Sequence, residues 1–368
     1  MDYFLAYVQV IAMLKKRAAL HKHISIGRVS GRVEELLRRR FALLERRGQL
    51  SKAHDIVHVR VVSFCAREIA KQLALKNKKL AKEADIIAEY AAIAGWLHDI
   101  VRKATEEKPH GIHGAAVIRR YAKMYPHIFK GLNEEAFKRI TDIVEIHELS
   151  LKEIEEKIKD WPKEWQIVAR AVVIGDKLIE ASGERVIERR AFFVGNERLH
   201  RGDLQYLKKK YGKKAPLYAV AMESCMRLRA RNIVENYPKE FQPIVKKLHA
   251  VQEEFYLALL KHLGLTEEKL FEEMKRIKFP KFEKYEKVLE EQIRKANSAK
   301  KIKRMPNDVV KAAVEWIMHF SKAKSPEEAI EKFKPKSKKA KEWLEAVKAL
   351  REGEEKFLGE KIAQLFRR

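Results

Sequence analysis

The sequence predicts an all-α protein, and two observations carry that prediction. Apolar residues recur at helical spacing in nearly every segment, and no stretch of five residues alternates convincingly as a half-buried strand would. With 368 residues, of which 46% are hydrophobic, the chain is long enough to bury at least one full core. No internal repeat with a fixed period is present. We therefore expect helical bundles, in segments that we place at 1–48, 49–270 and 271–368.

The first segment, 1–48, is predicted to be helical throughout. Residues 1–17 hold a short apolar run ahead of basic residues, which has the wrong length for a membrane span and the wrong charge order for a signal peptide. A buried helix is the expectation there. From Ser30 to Arg47 apolar residues recur at helical spacing, and Gly48 is expected to end that helix. Its opposite side is cationic and carries Arg38, Arg39, Arg40, Arg46 and Arg47.

The second segment, 49–270, carries residues that can bind metal. A predicted helix from Leu80 to Arg102 presents His98 and Asp99 next to each other, about 100° apart on the helix wall, so one ion can contact both. Burying Asp99 beside Trp96 and Ile100 would be costly without a cation or hydrogen bonds. This pair therefore requires partners from other helices.

Candidate partners lie on four further predicted elements. His58 and Asp176, together with the His98–Asp99 pair, offer nitrogen and oxygen donors and a bridging carboxylate, enough to hold a divalent ion with positions open for water and substrate. His110 and His147 could complete a second metal beside the first, the arrangement used to clamp a phosphoryl group.

These residues carry a resemblance to a known family. HDIVHVRVV, GWLHDIVRKAT followed by PHGIHGA, VEIHE and GDKL, in this order, resemble the HD superfamily of metal-dependent phosphohydrolases, and a subgroup with HDIGR followed by HGxxGA. Val101 departs from that subgroup, which has glycine there. GERVIERRAFFVG resembles a nucleotide-hydrolysing branch. The resemblance covers about Ser51 to Gly195 and implies an HD-domain helical bundle with additional N-terminal and C-terminal helices.

The resemblance also implies roles for particular residues. The metal ligands would be His58, His98, Asp99, His110, His147 and Asp176. The ion would be manganese, cobalt, nickel, iron or magnesium, with one site and room for a second. Asp99 would also orient the attacking water. Arg102 falls on the family arginine. Arg102, Lys103 and Lys177 also flank the candidate ligands in sequence, so we expect them to contact phosphate and neutralise developing charge.

A second His-Asp dipeptide, His54–Asp55, repeats the first. It sits at the predicted start of a helix, where Asp55 meets the positive end of the helix dipole. We expect it not to bind metal, although His54 shares a helix face with His58.

The formal net charge of +27 implies acidic partners. Three functions remain open: hydrolysis of phosphoester or phosphoanhydride bonds in nucleotides, nuclease activity, and nucleic-acid binding by a basic helical protein whose metal site is structural or inactive. The basic stretches Arg38–Arg47, Lys208–Lys214 and Arg294–Arg304 favour the last two.

The remaining expectations concern the third segment and the setting of the chain. Segment 271–368 is read as a basic, loose linker from Phe279 followed by C-terminal helices. Cys65 and Cys225 are too few for a disulfide framework, so we expect packed thiols in a cytoplasmic protein without membrane attachment. The long helices after Pro216 could pack within the chain or form a homodimer interface.

Overall fold

The computed structural model describes residues 25–101, 109–181, 184–202, 204–239, 242–299 and 305–352. Within these ranges every regular element is a helix, and an isolated β-bridge pairs Lys130 with Leu132. The all-α prediction is confirmed. None of these helices is both long enough and apolar enough to traverse a bilayer. The helix expected at 1–17 lies outside the described residues.

The chain divides into two compact units, and the division falls between Asp176 and Lys177. The helices of the first unit are α1 (25–46), α2 (Ile56–Lys76), α3 (Ala84–Leu97), α4 (His110–Met124), α5 (Pro126–Phe129), α6 (Glu134–Ile146), α7 (Leu151–Ile158) and α8 (Lys163–Ala181), the last of which runs across the division. Short 3₁₀ turns at Lys52–His54 and Ala81–Glu83 precede α2 and α3.

The helix ends in this unit follow local sequence signals. Gly48 adopts a positive φ of 63° just beyond α1, the conformation in which glycine commonly ends a helix. Asn77 caps the end of α2, where a break was predicted. Ser150 and Glu153 form a reciprocal capping box at the start of α7. These caps determine where each of these helices begins or ends.

The core of the first unit is built on the close pairing of α2 with α3. Gly95 lies so near α2 that an added Cβ would stand 2.7 Å from Ser63 Cα, so a side chain at this position would force the helices apart. Ser63 Oγ donates a hydrogen bond to the Ala92 carbonyl (2.9 Å) across the same contact. Tyr90 stacks on Trp165 with ring centroids 4.8 Å apart, which joins α3 to α8. The two helices that carry His58 and His98 are thereby held at close range.

The second unit is also helical. Its elements are α9 (Glu184–Arg189), a π-helical segment (Arg190–Arg198), α10 (Leu199–Arg201), α11 (Gln205–Tyr211), α12 (Ala215–Met226), a second π-helical segment (Arg227–Arg231), α13 (Gln242–Leu263), α14 (Glu267–Arg276), α15 (Phe282–Ala299), α16 (Asn307–Phe320), α17 (Pro326–Lys332) and α18 (Lys338–Glu352). Two 3₁₀ turns of this unit, at Gly212–Lys214 and Val234–Asn236, are not needed to position the sites below.

The predicted loose linker after Phe279 is wrong for residues 282–299, which form α15. Leu289 and Ile293 are one turn apart on this helix and both are buried, so its apolar stripe packs although its surface is basic. The C-terminal helices also share one core with the segment before 270, because Trp343 of α18 contacts Phe255 of α13 with ring centroids 5.8 Å apart. The unit boundaries therefore differ from the predicted segment boundaries. Cys65 and Cys225 are both buried, and neither forms a disulfide.

Candidate metal centre

The His98–Asp99 pair lies just beyond the end of α3. The predicted helix to Arg102 is wrong in this detail: α3 ends at Leu97, His98 is its C-cap, and Ile100 N–H donates to the Leu97 carbonyl (3.1 Å) in a tight turn. The Ile100 carbonyl in turn accepts a hydrogen bond from Arg40 Nε (2.5 Å). This turn projects both side chains into the interior of the first unit, where His98 and Asp99 are 1% and 3% exposed.

The first group of donor atoms combines His58, His98 and Asp176. Their ligand atoms all lie within 4.8 Å of one another. His58 Nε2 is 3.3 Å from His98 Nε2 and 3.4 Å from Asp176 Oδ1, and His98 Nε2 is 4.0 Å from Asp176 Oδ1. Asp99 Oδ2 stands 3.3 Å from each of the two imidazole nitrogens.

The second group combines His110 and His147 with the other oxygen of Asp99. Asp99 Oδ1 is 2.8 Å from His110 Nε2 and 3.8 Å from His147 Nε2, and the two nitrogens are 3.1 Å apart. One carboxylate therefore faces both groups, with a different oxygen toward each. The six residues predicted as ligands are brought together in two adjoining sets.

The histidines are oriented so that Nε2 points into the centre. His98 Nδ1 donates to the Gly95 carbonyl (2.7 Å), and His147 Nδ1 donates to the Val144 carbonyl (2.6 Å), each one turn back on its own helix. A carbonyl oxygen is an acceptor, so Nδ1 must carry the proton and a neutral ring then presents a lone pair at Nε2. That tautomer is the one a metal-binding histidine needs.

Glu148 orients the ring of His110 in the same way, through Nδ1. The sequence did not lead us to predict this residue. Its Oε1 lies 2.7 Å from His110 Nδ1, while its Oε2 accepts a hydrogen bond from Gly111 N–H (2.8 Å). A carboxylate behind a metal-binding imidazole fixes the ring and raises its basicity. The signal was in the sequence, since Glu148 directly follows His147 in the motif VEIHE.

Gly111 explains how α4 reaches this position. An added Cβ would stand 2.6 Å from the Glu145 carbonyl oxygen and 2.8 Å from the Val144 carbonyl oxygen, both backbone atoms that cannot move aside. The first turn of α4 is thus pressed against the last turn of α6. This contact brings His110, the first residue of α4, beside His147, the C-cap of α6.

The spacing of the donor atoms fits coordination of cations. Two donors about 2.1 Å from one ion and 90–109° apart are separated by about 3.0–3.4 Å. The nitrogen–nitrogen distances of 3.3 and 3.1 Å within the two groups lie in that range. At these distances the imidazole lone pairs and the carboxylate repel one another unless positive charge lies between them. Each group of donors could therefore hold a metal ion.

The pKa shifts of residues in the centre are consistent with binding of a cation. Burial disfavours ionisation of Asp99, but the imidazoles of His98 and His110 hold the pKa of its carboxyl well below the usual range. Burial also opposes a charge on His98, yet the Asp99 and Asp176 carboxylates raise its pKa above the ordinary value. The hydrogen bond from His110 likewise lowers the pKa of Glu148 against the effect of burial. The centre thus favours positive charge among its donors.

The remaining predicted residues lie at the margin or outside the described ranges. Asp176 has a side chain 26% exposed, so solvent reaches the centre on that side. Lys177 follows it on α8 and is partly exposed. Arg102 and Lys103 lie outside the described residues. The proposed phosphate contacts of these three cations stay predictions.

Two further residues take roles that the sequence only partly indicated. Asp55 is the N-cap of α2 and accepts a hydrogen bond from His58 N–H (2.9 Å), and within the described ranges the His54–Asp55 dipeptide belongs to neither donor group. Arg40, predicted on a cationic face, instead reaches inward to the Ile100 carbonyl and to Tyr121 Oη (2.9 Å). It secures the turn that follows Asp99.

Comparison with protein-family models, curated proteins and solved structures finds no match to this chain.

Proposed function

We propose that the chain is a metal-dependent phosphohydrolase with a two-ion centre. The observation that supports this most strongly is the position of Asp99, whose two carboxylate oxygens face two separate sets of imidazole nitrogens. Sites that hold two ions about 3.5–4 Å apart are typical of enzymes that displace groups at phosphorus. The same residues resemble the HD superfamily, and this resemblance also supports the proposal.

The residues of the centre have separate roles in this proposal. Divalent ions held at such a centre lower the pKa of water and stabilise negative charge on phosphoryl oxygens. His58, His98 and Asp176 would hold one ion, His110 and His147 would hold the other, and Asp99 would contribute to both. Glu148 keeps the proton of His110 on Nδ1. Mixed imidazole and carboxylate donors favour manganese, iron, cobalt or nickel over magnesium.

The substrate class that we propose is a phosphoester or phosphoanhydride of a nucleotide or nucleic acid. The net charge of +27 attracts such polyanions. The partly exposed Asp176 gives a phosphate access to the centre, whereas the buried histidines do not. Arg102, Lys103 and Lys177, which adjoin the donors in sequence, would contact the phosphate oxygens.

The test is hydrolysis by metal-stripped protein supplied in turn with manganese, cobalt, nickel, iron or magnesium. The substrates are nucleoside triphosphates, cyclic nucleotides, and single- and double-stranded RNA and DNA. We expect metal-dependent cleavage of one class, reduced at least about a thousandfold in Asp99→Ala and retained in Asp55→Asn. No cleavage, combined with salt-sensitive binding to nucleic acid, would contradict the proposal and favour the nucleic-acid-binding alternative.

A further inference from the structure

An open groove of about 780 Å³ lies in the first unit, between α1 and the segment where α4 ends and α5 begins. Its volume is in the range of ligand sites in proteins. None of the six donor residues of the metal centre lines it, so it is separate from that centre. The groove is therefore a second candidate site, and its lining indicates what it could bind.

The wall that α1 contributes is strongly cationic. Among the described residues that line the groove, this wall carries four arginines, Arg28, Arg32, Arg39 and Arg40, and one glutamate, Glu35. Arg39 pairs with Glu35, with 2.7 Å between Nε and the carboxylate oxygen. Four arginines against one glutamate leave an excess of three positive charges on this wall. Such a wall attracts a partner that carries several negative charges.

Arg28 and Arg32 are not balanced by carboxylates. Arg32 donates hydrogen bonds to the carbonyls of Ile128 (2.9 Å) and Lys130, which are neutral acceptors. Two of its five N–H groups are used in this way, so three remain for a ligand. Arg28 is exposed, and among the described residues no carboxylate pairs with it. Both side chains can therefore contact an anion in the groove without breaking an ion pair.

Arg40 is also held by neutral acceptors. Its guanidinium donates to the Ile100 carbonyl (2.5 Å) and to Tyr121 Oη (2.9 Å), and it lies 5.9 Å from the centroid of the Tyr121 ring. Arg40 thus supplies charge to the groove and also secures the turn that follows Asp99. Because a substitution at Arg40 would disturb that turn as well, Arg28 is the cleaner probe of the groove.

The opposite wall of the groove is aromatic. Tyr121 and Tyr125 are one turn apart with ring centroids separated by 6.0 Å, and the Tyr125 and His127 centroids are 6.4 Å apart. Tyr125 is 40% exposed, so part of its ring is accessible to a ligand. Cations beside accessible aromatic rings are typical of sites for single-stranded nucleic acid, where the cations follow the phosphates and the rings stack on bases.

The length of the arginine row favours a strand over a mononucleotide. At 1.5 Å per residue, Arg28 and Arg32 are about 6 Å apart along the axis of α1, and Arg28 and Arg40 about 18 Å apart. The phosphates of a mononucleotide are at one end of the molecule, whereas consecutive phosphates of a strand can follow the whole row. A duplex keeps its bases stacked inside and away from Tyr125, and an acidic peptide has no bases to stack.

We propose that this groove binds single-stranded nucleic acid, with Arg28, Arg32 and Arg40 contacting phosphates and Tyr125 stacking on a base. Guanidinium groups suit this role because their planar N–H donors match phosphate oxygens. The binding does not rest on the proposed hydrolysis, because none of these residues is a metal donor. It can therefore be measured without metal.

The test is fluorescence anisotropy of labelled single strands of RNA and DNA, about 12 nucleotides long, titrated with the full chain in a chelator. We expect saturable binding that weakens with salt. Arg28→Gln should reduce the slope of log affinity against log salt by about 0.7 and weaken binding about fivefold at about 0.1 M salt, the loss of one phosphate contact. Arg120→Gln is the matched control and should change neither, since it removes the same charge from an exposed position of α4 outside the groove lining.

Tyr125 gives a readout that is independent of charge. Tyr125→Ala should weaken binding at least about fivefold, because a stacking ring is lost, and should leave the salt dependence unchanged, because no charge is removed. Tyr125→Phe keeps the ring and should keep the wild-type affinity. Both Arg28 and Tyr125 are exposed, so their variants should unfold at the wild-type temperature.

Several results would each overturn the proposal. They are the absence of saturable binding, wild-type affinity in Arg28→Gln or in Tyr125→Ala, and an equal loss in Arg120→Gln. Equal or tighter binding of a duplex of the same sequence, or equal competition by a nucleoside triphosphate or by polyglutamate, would assign the groove to a duplex, a nucleotide or an acidic peptide instead. All of these are measured without metal, so they are distinct from a failure of the proposed hydrolysis.

Discussion

Two His-Asp dipeptides occur in this chain, and they have opposite roles. His54–Asp55 precedes α2, where the Asp55 carboxylate accepts the N–H of His58. His98–Asp99 follows α3, where the Asp99 carboxylate faces four imidazole nitrogens. The dipeptides are identical in sequence, so their surroundings alone separate them.

The difference lies in which end of a helix each dipeptide occupies. At a helix N-terminus the free N–H groups take up a carboxylate, and the helix dipole favours its charge. At a C-terminus the free groups are carbonyls, which accept the proton of His98 Nδ1 and leave the carboxylate of Asp99 to other partners. A His-Asp pair at a helix C-terminus is thus prepared for metal, and one at an N-terminus is not.

The largest effect that would test this comparison is on metal content. Asp99→Asn removes the charge shared by both donor groups, so metal affinity should fall by more than the roughly 10–100-fold that loss of an outer hydrogen-bond partner causes. Asp55→Asn should keep the wild-type content, which we expect to be two ions per chain. Metal analysis after dialysis against a weak chelator measures both. Equal loss in the two variants would break the distinction between the dipeptides.

An intermediate effect is expected at Glu148. Glu148→Gln weakens the acceptor at His110 Nδ1 and should reduce affinity for the ion of the second group by about 10–100-fold, while the ion at His58, His98 and Asp176 stays bound. The matched control is Glu145→Gln, whose side chain is 41% exposed and pairs with Arg119 on the surface. Isothermal titration with manganese separates the two sites. An equal effect in both glutamates would show that Glu148 acts only through net charge.

The smallest effect concerns Asp55. Asp55→Ala removes the N-cap of α2 and should lower the free energy of unfolding by about 1 kcal/mol, whereas Asp55→Asn, which can still accept the hydrogen bond, should lose only a few tenths. Urea denaturation of the metal-free protein measures this. An equal loss in Asp55→Asn and Asp55→Ala would mean that the charge, which both variants remove, matters more than the hydrogen bond to His58 N–H.

The metal centre shows how much of the fold and of the site could be predicted from the sequence. The helical class and some helix ends, such as those at Gly48 and Asn77, could be predicted, because periodicity and caps are local. His58, His98, Asp99, His110, His147 and Asp176 were chosen from their order and chemistry, and the structure brings them together. Glu148 and Arg40 were missed because their partners lie 38 and 60 residues away in sequence, and the position of Glu148 beside His147 does not by itself indicate a contact with His110.

The sequence by itself determined that this protein is helical, strongly basic and equipped with histidines and aspartates that can bind metal. Only the tertiary structure decided how those donors are grouped, because the grouping depends on close helix contacts at Gly95 and Gly111. It also decided that Asp99 faces both groups. Charge and periodicity are properties of a chain, whereas the pairing of buried charges is a property of packing, which local sequence does not specify.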